Sequence, residues 1–122
     1  MSEIRVTTIS DTAGTGPVTL TKLTASKGNV NYTSAMAIKN SLNVSSITDT
    51  ATGRAVVNYT NSWANATYGS ALGLMAAQAS ESAVHENNSV AKTASALPVV
   101  TLIAGAYNDS NNVSVWNWGD LA

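Results

Sequence analysis

The segment Asn40–Asn61 constrains the fold more than any other part of the chain. Strand-forming residues at Leu42, Val44 and Ile47 lead into Thr48–Gly53, whose Asp, Thr and Gly residues favour a reversal of the backbone. A second alternating run, Arg54–Thr60, follows directly. The pattern predicts a β-hairpin, which requires an antiparallel sheet.

Other short runs of strand-forming residues recur along the chain. A short strand is predicted around Val30 and Tyr32, and Pro98–Tyr107 and Val113–Trp118 are predicted as two strands joined by a hairpin turn at Asn108–Asn112. Six to eight such strands with turn signals between them predict an all-β fold, an antiparallel β-sandwich. A chain of 122 residues is long enough for one such domain.

Two regions leave alternatives open. Residues 1–23 are predicted to form an extended N-terminal arm, either lying along a neighbouring chain or acting as an ordinary edge strand, and residues 24–122 form the sandwich. In residues 69–96, Ala71–Ala79 has helical propensity, but the glycines and serines around it favour a strand. The polar stretch Ser80–Thr93 is predicted as a loop with a short strand near its end.

The last predicted strand has apolar groups on both faces. Val113, Val115 and Asn117 share one face, whereas Ser114, Trp116 and Trp118 share the other. Such a strand is either central in its sheet or packed against another subunit.

Composition excludes several classes of function. Only 11% of residues are charged, the net charge is −1, and the six Lys and Arg residues are scattered, so nucleic-acid binding is not expected. The chain contains no Cys for thiolate metal sites and no Phe for its core, and a core this small favours association with further copies. The longest apolar run, Leu97–Ala106, is too short to span a bilayer, and the start of the sequence lacks the pattern of a signal peptide.

The residues give little support for catalysis. His85 is the single histidine, and its Asn- and Ser-rich surroundings favour a solvent-facing residue over a catalytic one. Asp109, with its neighbouring asparagines, could bind a hard cation, but the same residues are typical of a turn. No glycine-rich phosphate loop is present, so we expect no enzyme, no cofactor and no metal site.

Four aromatic residues are the candidates for a site. Trp63, Tyr68, Trp116 and Trp118 could form a surface on which sugars stack, or they could belong to the core or to a subunit interface, which we favour because the chain lacks Phe.

Three phrases of the sequence resemble a known module. The opening TTISDTAGTGPVTLTK, the hairpin IKNSLNVSSITDTATGRAVVNYT and the ending NNVSVWNWGDLA are similar to virion proteins of marine tailed bacteriophages, notably those of cyanobacteria. The match is most specific at Asn43–Asp49 and Val57–Thr60, whereas residues 69–96 match no phrase of the family.

The resemblance implies a virion structural protein. Its relatives are mostly described as tail fibres or uncharacterised structural proteins, so two roles remain open. One is a trimeric capsid decoration, cement or knob protein that contacts the major capsid protein. The other is a tail-fibre or appendage tip that binds a host receptor or glycan, as a lectin does. In both, the chain is made in the host cytoplasm and assembled into the virion.

Overall fold

The computed structural model describes residues 26–74 and 82–122, and within them the chain forms β-strands and no helix. The strands in chain order are β1 (Gly28–Tyr32), β2 (Ile38–Leu42), β3 (Val44–Ala51), β4 (Arg54–Tyr59), β5 (Gly69–Leu74), β6 (Ser82–Glu86), β7 (Ala96–Ile103), β8 (Ala106–Tyr107) and β9 (Val113–Trp118). The predicted arm, residues 1–23, lies outside the described residues.

The strands form two antiparallel sheets that pack on each other like the layers of a sandwich. One sheet has the order β2-β1-β9-β5, and the other has the order β3-β4-β7-β6, with β8 paired to β7. Residues from the inner faces of both sheets, such as Val30 and Val115 on one side and Val57 and Leu97 on the other, form a single core. The predicted all-β antiparallel architecture is confirmed, with nine described strands instead of six to eight.

Alternation along the strands explains why the two layers form. In β4, the buried residues Ala55, Val57 and Tyr59 alternate with partly exposed ones, and β1 and β9 show the same period of two. Val30, Val57 and Val115 are fully buried. Each such side chain contributes about 1.5–3 kcal/mol of hydrophobic stabilisation.

The hairpin between β3 and β4 is confirmed. Ile47 lies opposite Val57, and the turn passes through Gly53 with a φ of 67°. The backbone amide of Gly53 donates to Asp109 Oδ1 at 2.7 Å, and a Cβ at this position would lie 2.5 Å from the backbone nitrogen of Asn108. Glycine is therefore required here both by the backbone angle and by the segment packed over the turn.

The strand that enters the hairpin was predicted wrongly as one continuous run from Leu42 to Ile47. The chain bends at Asn43, which has a φ of 57°, and β2 belongs to one sheet while β3 belongs to the other. Asparagine tolerates this angle, and its side chain is held by Asn61, whose amide donates to Asn43 Oδ1 at 2.8 Å.

The predicted hairpin between Pro98–Tyr107 and Val113–Trp118 is also wrong. β7 ends at Ile103, the chain turns at Ala104 and Gly105 into β8, and residues 108–112 then cross to the other sheet. Both edges of β7 are already paired, with β4 and β6, so β9 pairs with β1 and β5 instead. The expectation that the last strand is central in its sheet is confirmed.

In residues 69–96 the strand interpretation is confirmed for Gly69–Leu74, whereas residues 75–81 lie outside the described part. The loop expected over Ser80–Thr93 is wrong for Ser82–Glu86, which pairs with β7 as an exposed edge strand. An edge strand needs few apolar residues, which explains its polar sequence. Nothing among the described residues forms a helix long and apolar enough to cross a membrane.

Candidate binding face

The four aromatic candidates occupy two different places. Trp63 and Tyr68 are buried, with exposed fractions of 1% and 4%, whereas Trp116 and Trp118 expose 49% and 40% of their surface. The structure therefore does not bring all four together into one surface.

Trp63 and Tyr68 belong to a cluster that we call the inner aromatic cluster, together with Tyr59. The rings of Trp63 and Tyr68 are stacked with centroids 4.8 Å apart, and Tyr59 meets both edge-on at 5.5 and 5.6 Å. Stacked and edge-to-face contacts of this kind stabilise a core. The rings are occupied by each other, so they offer no face to a sugar.

A polar network connects the inner aromatic cluster to the surface. The buried Tyr59 hydroxyl donates to Asn117 Oδ1 at 2.7 Å, and Asn117 Nδ2 donates to Ser70 Oγ at 2.9 Å. Lys92 Nζ lies 3.4 Å from the same Ser70 oxygen and pairs with Glu86 Oε1 at 2.9 Å. Asn117 is fully buried, and the network satisfies its amide on both sides.

The cluster and network change the acidity of their tyrosines. Burial raises the pKa of Tyr59 far above its ordinary value, and burial also raises the pKa of Tyr68, to about 12. Lys92 Nζ lies 4.1 Å from the centre of the Tyr68 ring and donates to the Tyr68 carbonyl at 2.7 Å. Tyr59 and Tyr68 therefore stay protonated above the pH at which an exposed tyrosine ionises. Lys92 packs on the edge of the core through its contacts with Tyr68.

The second place is the outer surface of the four-stranded sheet. Residues paired across an antiparallel sheet share a face, so the register defines which side chains surround the exposed tryptophans. One row across the four strands contains Leu42, Asn29, Trp116 and Ala71, and the next contains Asn40, Asn31, Ser114 and Gly73. We call these two rows, with Trp118 and its partner Gly69, the tryptophan face.

The ring of Trp118 lies close against the backbone of its neighbouring strand. It is paired with Gly69, and a Cβ at Gly69 would overlap the indole ring of Trp118. Glycine at this position therefore allows the ring to rest directly on β5. The other side of the ring faces outward, in keeping with the 40% exposure.

The two rows of the tryptophan face carry no formal charge. At the end of the sandwich near this face, Lys27 Nζ pairs with Asp120 Oδ1 at 3.3 Å, and both side chains are well exposed. An exposed pair of this kind adds little stability. The tryptophan face is therefore an aromatic surface bordered by amides and small residues and, beside Trp118, by this ion pair.

His85 lies on β6, with an exposed side chain whose Nδ1 is 2.9 Å from the backbone oxygen of Glu86. Asp109 Oδ1 accepts from Gly53, and Asn111 Oδ1 accepts from Ser34 Oγ at 2.9 Å, so these oxygens hold the crossover between the sheets. In the part of the chain that the structure describes, no three His, Cys, Asp or Glu side chains gather as a metal site would need.

A shallow cleft of about 220 Å³ lies beside the inner aromatic cluster, between Ala64–Thr67 and Gly119–Asp120. This is below the roughly 300 Å³ at which small-molecule sites begin. The tryptophan face is therefore the stronger candidate for a binding site.

The period of two correctly placed Ser114, Trp116 and Trp118 on one face of β9. Sequence reasoning missed Asn29, Asn31, Leu42 and Gly69 as their neighbours, because the register between distant strands leaves no local signal. It also grouped Trp63 and Tyr68 with the exposed pair, because aromatic character alone does not show which rings face inward.

A scan against protein-family models finds no match for this chain, and searches of the curated proteins and of the solved structures find none either. What the chain does must therefore be inferred from its own residues.

Proposed function

We propose that this chain is a non-enzymatic structural protein of a phage virion. In this proposal it is a small self-associating β-sandwich, a trimer, displayed on the particle as a capsid decoration or cement protein or as a knob. Residues 1–23 act as the attachment arm, and the major capsid protein is the partner. The chain is made in the host cytoplasm and functions in the virion.

The observation that carries the proposal is the tryptophan face. Two large aromatic side chains, Trp116 and Trp118, are exposed on one face of β9, a strand inside its sheet, and the equally exposed Leu42 lies in the row of Trp116, on the far side of Asn29. Contiguous exposed apolar surface of this kind marks contact sites more often than chance. A rigid sheet with an uncharged contact surface suits a displayed module that works by binding.

Three further features support the proposal. The sequence resembles phage virion modules at the β3–β4 hairpin, and that hairpin is present in the structure. The described core is a single small cluster of valines and aromatic residues, and small cores gain stability from association. Three ionisable groups at or beside the inner aromatic cluster, Tyr59, Lys92 and Glu86, are engaged in structural contacts.

A tail-fibre or appendage tip that binds a host receptor is the second candidate. The observation that favours it is the set of side chains around Trp116, where Asn29, Asn31 and Ser114 place amide and hydroxyl groups beside an aromatic ring. A hydrogen-bonding rim around an aromatic platform suits a polar ligand on a cell surface.

Copy number per particle separates the two roles. Particles of the phage that encodes this chain would be purified and the chain quantified by mass spectrometry against the major capsid protein. Hundreds of copies support decoration, whereas tens or fewer support an appendage tip. If purified particles lack the chain altogether, the virion proposal is wrong. Light scattering on the isolated chain would test the trimer.

A further inference from the structure

We infer that the tryptophan face binds a neutral saccharide, with pyranose rings stacked on Trp116 and Trp118. The inference rests on the proposal that this face is the contact surface of a displayed module, and it names the ligand class. Four observations support it: the spacing of the two rings, the paired strand that carries them with Trp118 resting on β5, the polar groups around them and the absence of an unpaired charge.

The spacing suits a chain of sugars. Trp116 and Trp118 are two residues apart on one strand, so their Cα atoms are separated by about 6–7 Å and their side chains leave the same face. Neighbouring rings of an oligosaccharide could therefore contact both indoles. The C–H groups on one face of a pyranose pack on an aromatic ring, whose face carries partial negative charge.

The platform is fixed before any ligand arrives. Trp118 rests on the backbone at Gly69, and β9 is paired on both edges. Between the two tryptophans, Asn117 points inward and is bonded to Tyr59, which anchors the strand to the core. Little freedom of the strand and of the Trp118 ring is then lost on binding, which favours affinity for a weakly held ligand such as a sugar.

The rim supplies hydrogen-bonding groups. Asn29 lies directly opposite Trp116, and Asn31, Asn40 and Ser114 form the next row. Within residues 26–74 and 82–122, no side-chain hydrogen bond of these four residues is found. Amides and hydroxyls both donate and accept, as sugar hydroxyls do.

Charge determines the kind of saccharide. The rows that contain Trp116 and Ser114 include no Lys, Arg, Asp or Glu, and Lys27, which lies next to Trp118 in the register, is already paired with Asp120 at 3.3 Å. A uronic acid, a sulfate or an amino sugar would therefore find no unpaired counter-charge there. Removing such a charge from water without a partner is costly. The face therefore favours a neutral glycan.

The same features argue against a second copy of the chain as the occupant. A stable protein interface buries about 800 Å² on each partner around a dry apolar core. Here Asn29 lies between Leu42 and Trp116, and Asn31 lies in the adjacent row. Burying these two amides without hydrogen-bond partners would be unfavourable. Sugar hydroxyls would satisfy them.

The test is a titration of the full chain with three neutral probes: β-linked hexamers of glucose, N-acetylglucosamine and galactose. Trp116→Ala and Trp118→Ala are compared with Tyr107→Ala, because Tyr107 is as exposed as Trp116 but lies on the other sheet. We expect at least one hexamer to bind, with at least tenfold weaker affinity in each Trp variant and unchanged affinity in Tyr107→Ala. Thermal unfolding of each variant checks that it is folded.

Three results would overturn the inference: no binding of any hexamer, binding that survives both Trp substitutions, or an equal loss in Tyr107→Ala. Light scattering on the same samples, together with the analysis of purified particles, distinguishes a failure of the saccharide inference from a failure of the proposed virion function. A variant that carries both Trp116→Ala and Trp118→Ala is included in the light scattering. If no sugar binds and this double variant changes the mass of the oligomer, the face contacts another copy of the chain. The saccharide inference is then wrong, while the proposal of a self-associating virion protein stands. If sugar binds but purified particles lack the chain, the virion proposal fails and the saccharide site stands.

Discussion

The two faces of β9 use similar residues for different purposes. Inward, Val113, Val115 and Asn117 are buried and contact the inner aromatic cluster and the core. Outward, Trp116 and Trp118 remain about half exposed, although each is larger than any inward residue of the strand. The side chains alternate with a period of two, so a shift of one residue would exchange the roles. In this chain, position on the strand and not apolar size decides whether a residue stabilises the fold or is available to a partner.

The inner aromatic cluster also shows what burial of an indole costs. Trp63 is almost completely buried, yet its Nε1 has no hydrogen-bond partner among the described residues. An unpaired buried donor costs about 1–3 kcal/mol. Stacking on Tyr68 and the edge contact with Tyr59 offset that cost. The exposed tryptophans have no such cost and correspondingly little role in stability.

The largest expected difference is between Trp63→Ala and Trp116→Ala. Truncating the buried ring leaves a cavity against Tyr59 and Tyr68 and should cost about 3–5 kcal/mol, a large part of the stability of a small domain. Truncating the exposed ring should change stability by no more than about 0.5 kcal/mol. Urea unfolding measures both. If Trp63→Ala does not fold, Trp63→Phe should still show the larger loss, and equal effects would refute the distinction.

A smaller difference is expected between neighbouring residues of β9. Asn117→Leu removes the acceptor of the Tyr59 hydroxyl and the donor to Ser70, so it should cost about 1–3 kcal/mol. Ser114→Val, on the outer face of the same strand, should be nearly neutral. Tyr59→Phe combined with Asn117→Leu should recover part of the loss, because the two groups are coupled. Purely additive losses in denaturant unfolding would show that the bond contributes nothing.

Alkaline pH should weaken the inner aromatic cluster, and Tyr32, whose pKa is also raised by burial, adds to the effect. Burial raises the pKa of Tyr59 and of Tyr68 in the folded state, whereas an unfolded tyrosine ionises near pH 10. The stability that these hydroxyls contribute is therefore fully present below about pH 10 and is lost as pH rises towards the folded values, about 12 for Tyr68. Each tyrosine contributes up to about 1.4 kcal/mol per pH unit in that window.

Urea unfolding between pH 9 and 11.5 would measure this loss. Tyr59→Phe should flatten the dependence, because one buried hydroxyl no longer titrates on unfolding. Trp116→Ala should leave the slope unchanged, because it alters no buried tyrosine. A wild-type chain with constant stability across this range would contradict the burial argument.

The parts of the fold that local chemistry determines were predictable from sequence. The β3–β4 hairpin follows from the turn residues around Gly53, and the outward position of Trp116 and Trp118 relative to Asn117 follows from the strand period. Strand pairing did not follow, because it depends on which edges are free: β7 already has a partner on each side, so β9 pairs elsewhere.

The candidate site was predictable only in part for the same reason. Asn29 and Gly69 become neighbours of the tryptophans through registers between distant segments. The change of sheet at Asn43 was also missed, because the sequence does not show that this asparagine adopts a positive φ. Long-range strand pairing and single backbone bends are thus the features that could not be predicted from the sequence.

Only a small effect on stability is expected for Gly69→Ala. The new methyl group would overlap the Trp118 indole and push it off β5. Because Trp118 lies on the outer face, the ring can swing into solvent, so the cost should stay below about 1 kcal/mol. Gly73→Ala is the matched control on the same strand, since its Cβ would only meet the Ser114 Cβ at 3.7 Å.

The readouts are urea unfolding and the chemical shift of the Trp118 indole N–H. Gly69→Ala should move that resonance and weaken saccharide binding with little loss of stability, whereas Gly73→Ala should leave the resonance in place. A loss of several kcal/mol in Gly69→Ala, as large as that expected for Trp63→Ala, would mean that Trp118 is held by packing as the inner rings are. The two faces of β9 would then not differ in kind, and the tryptophan face would have to be regarded as part of the structural framework.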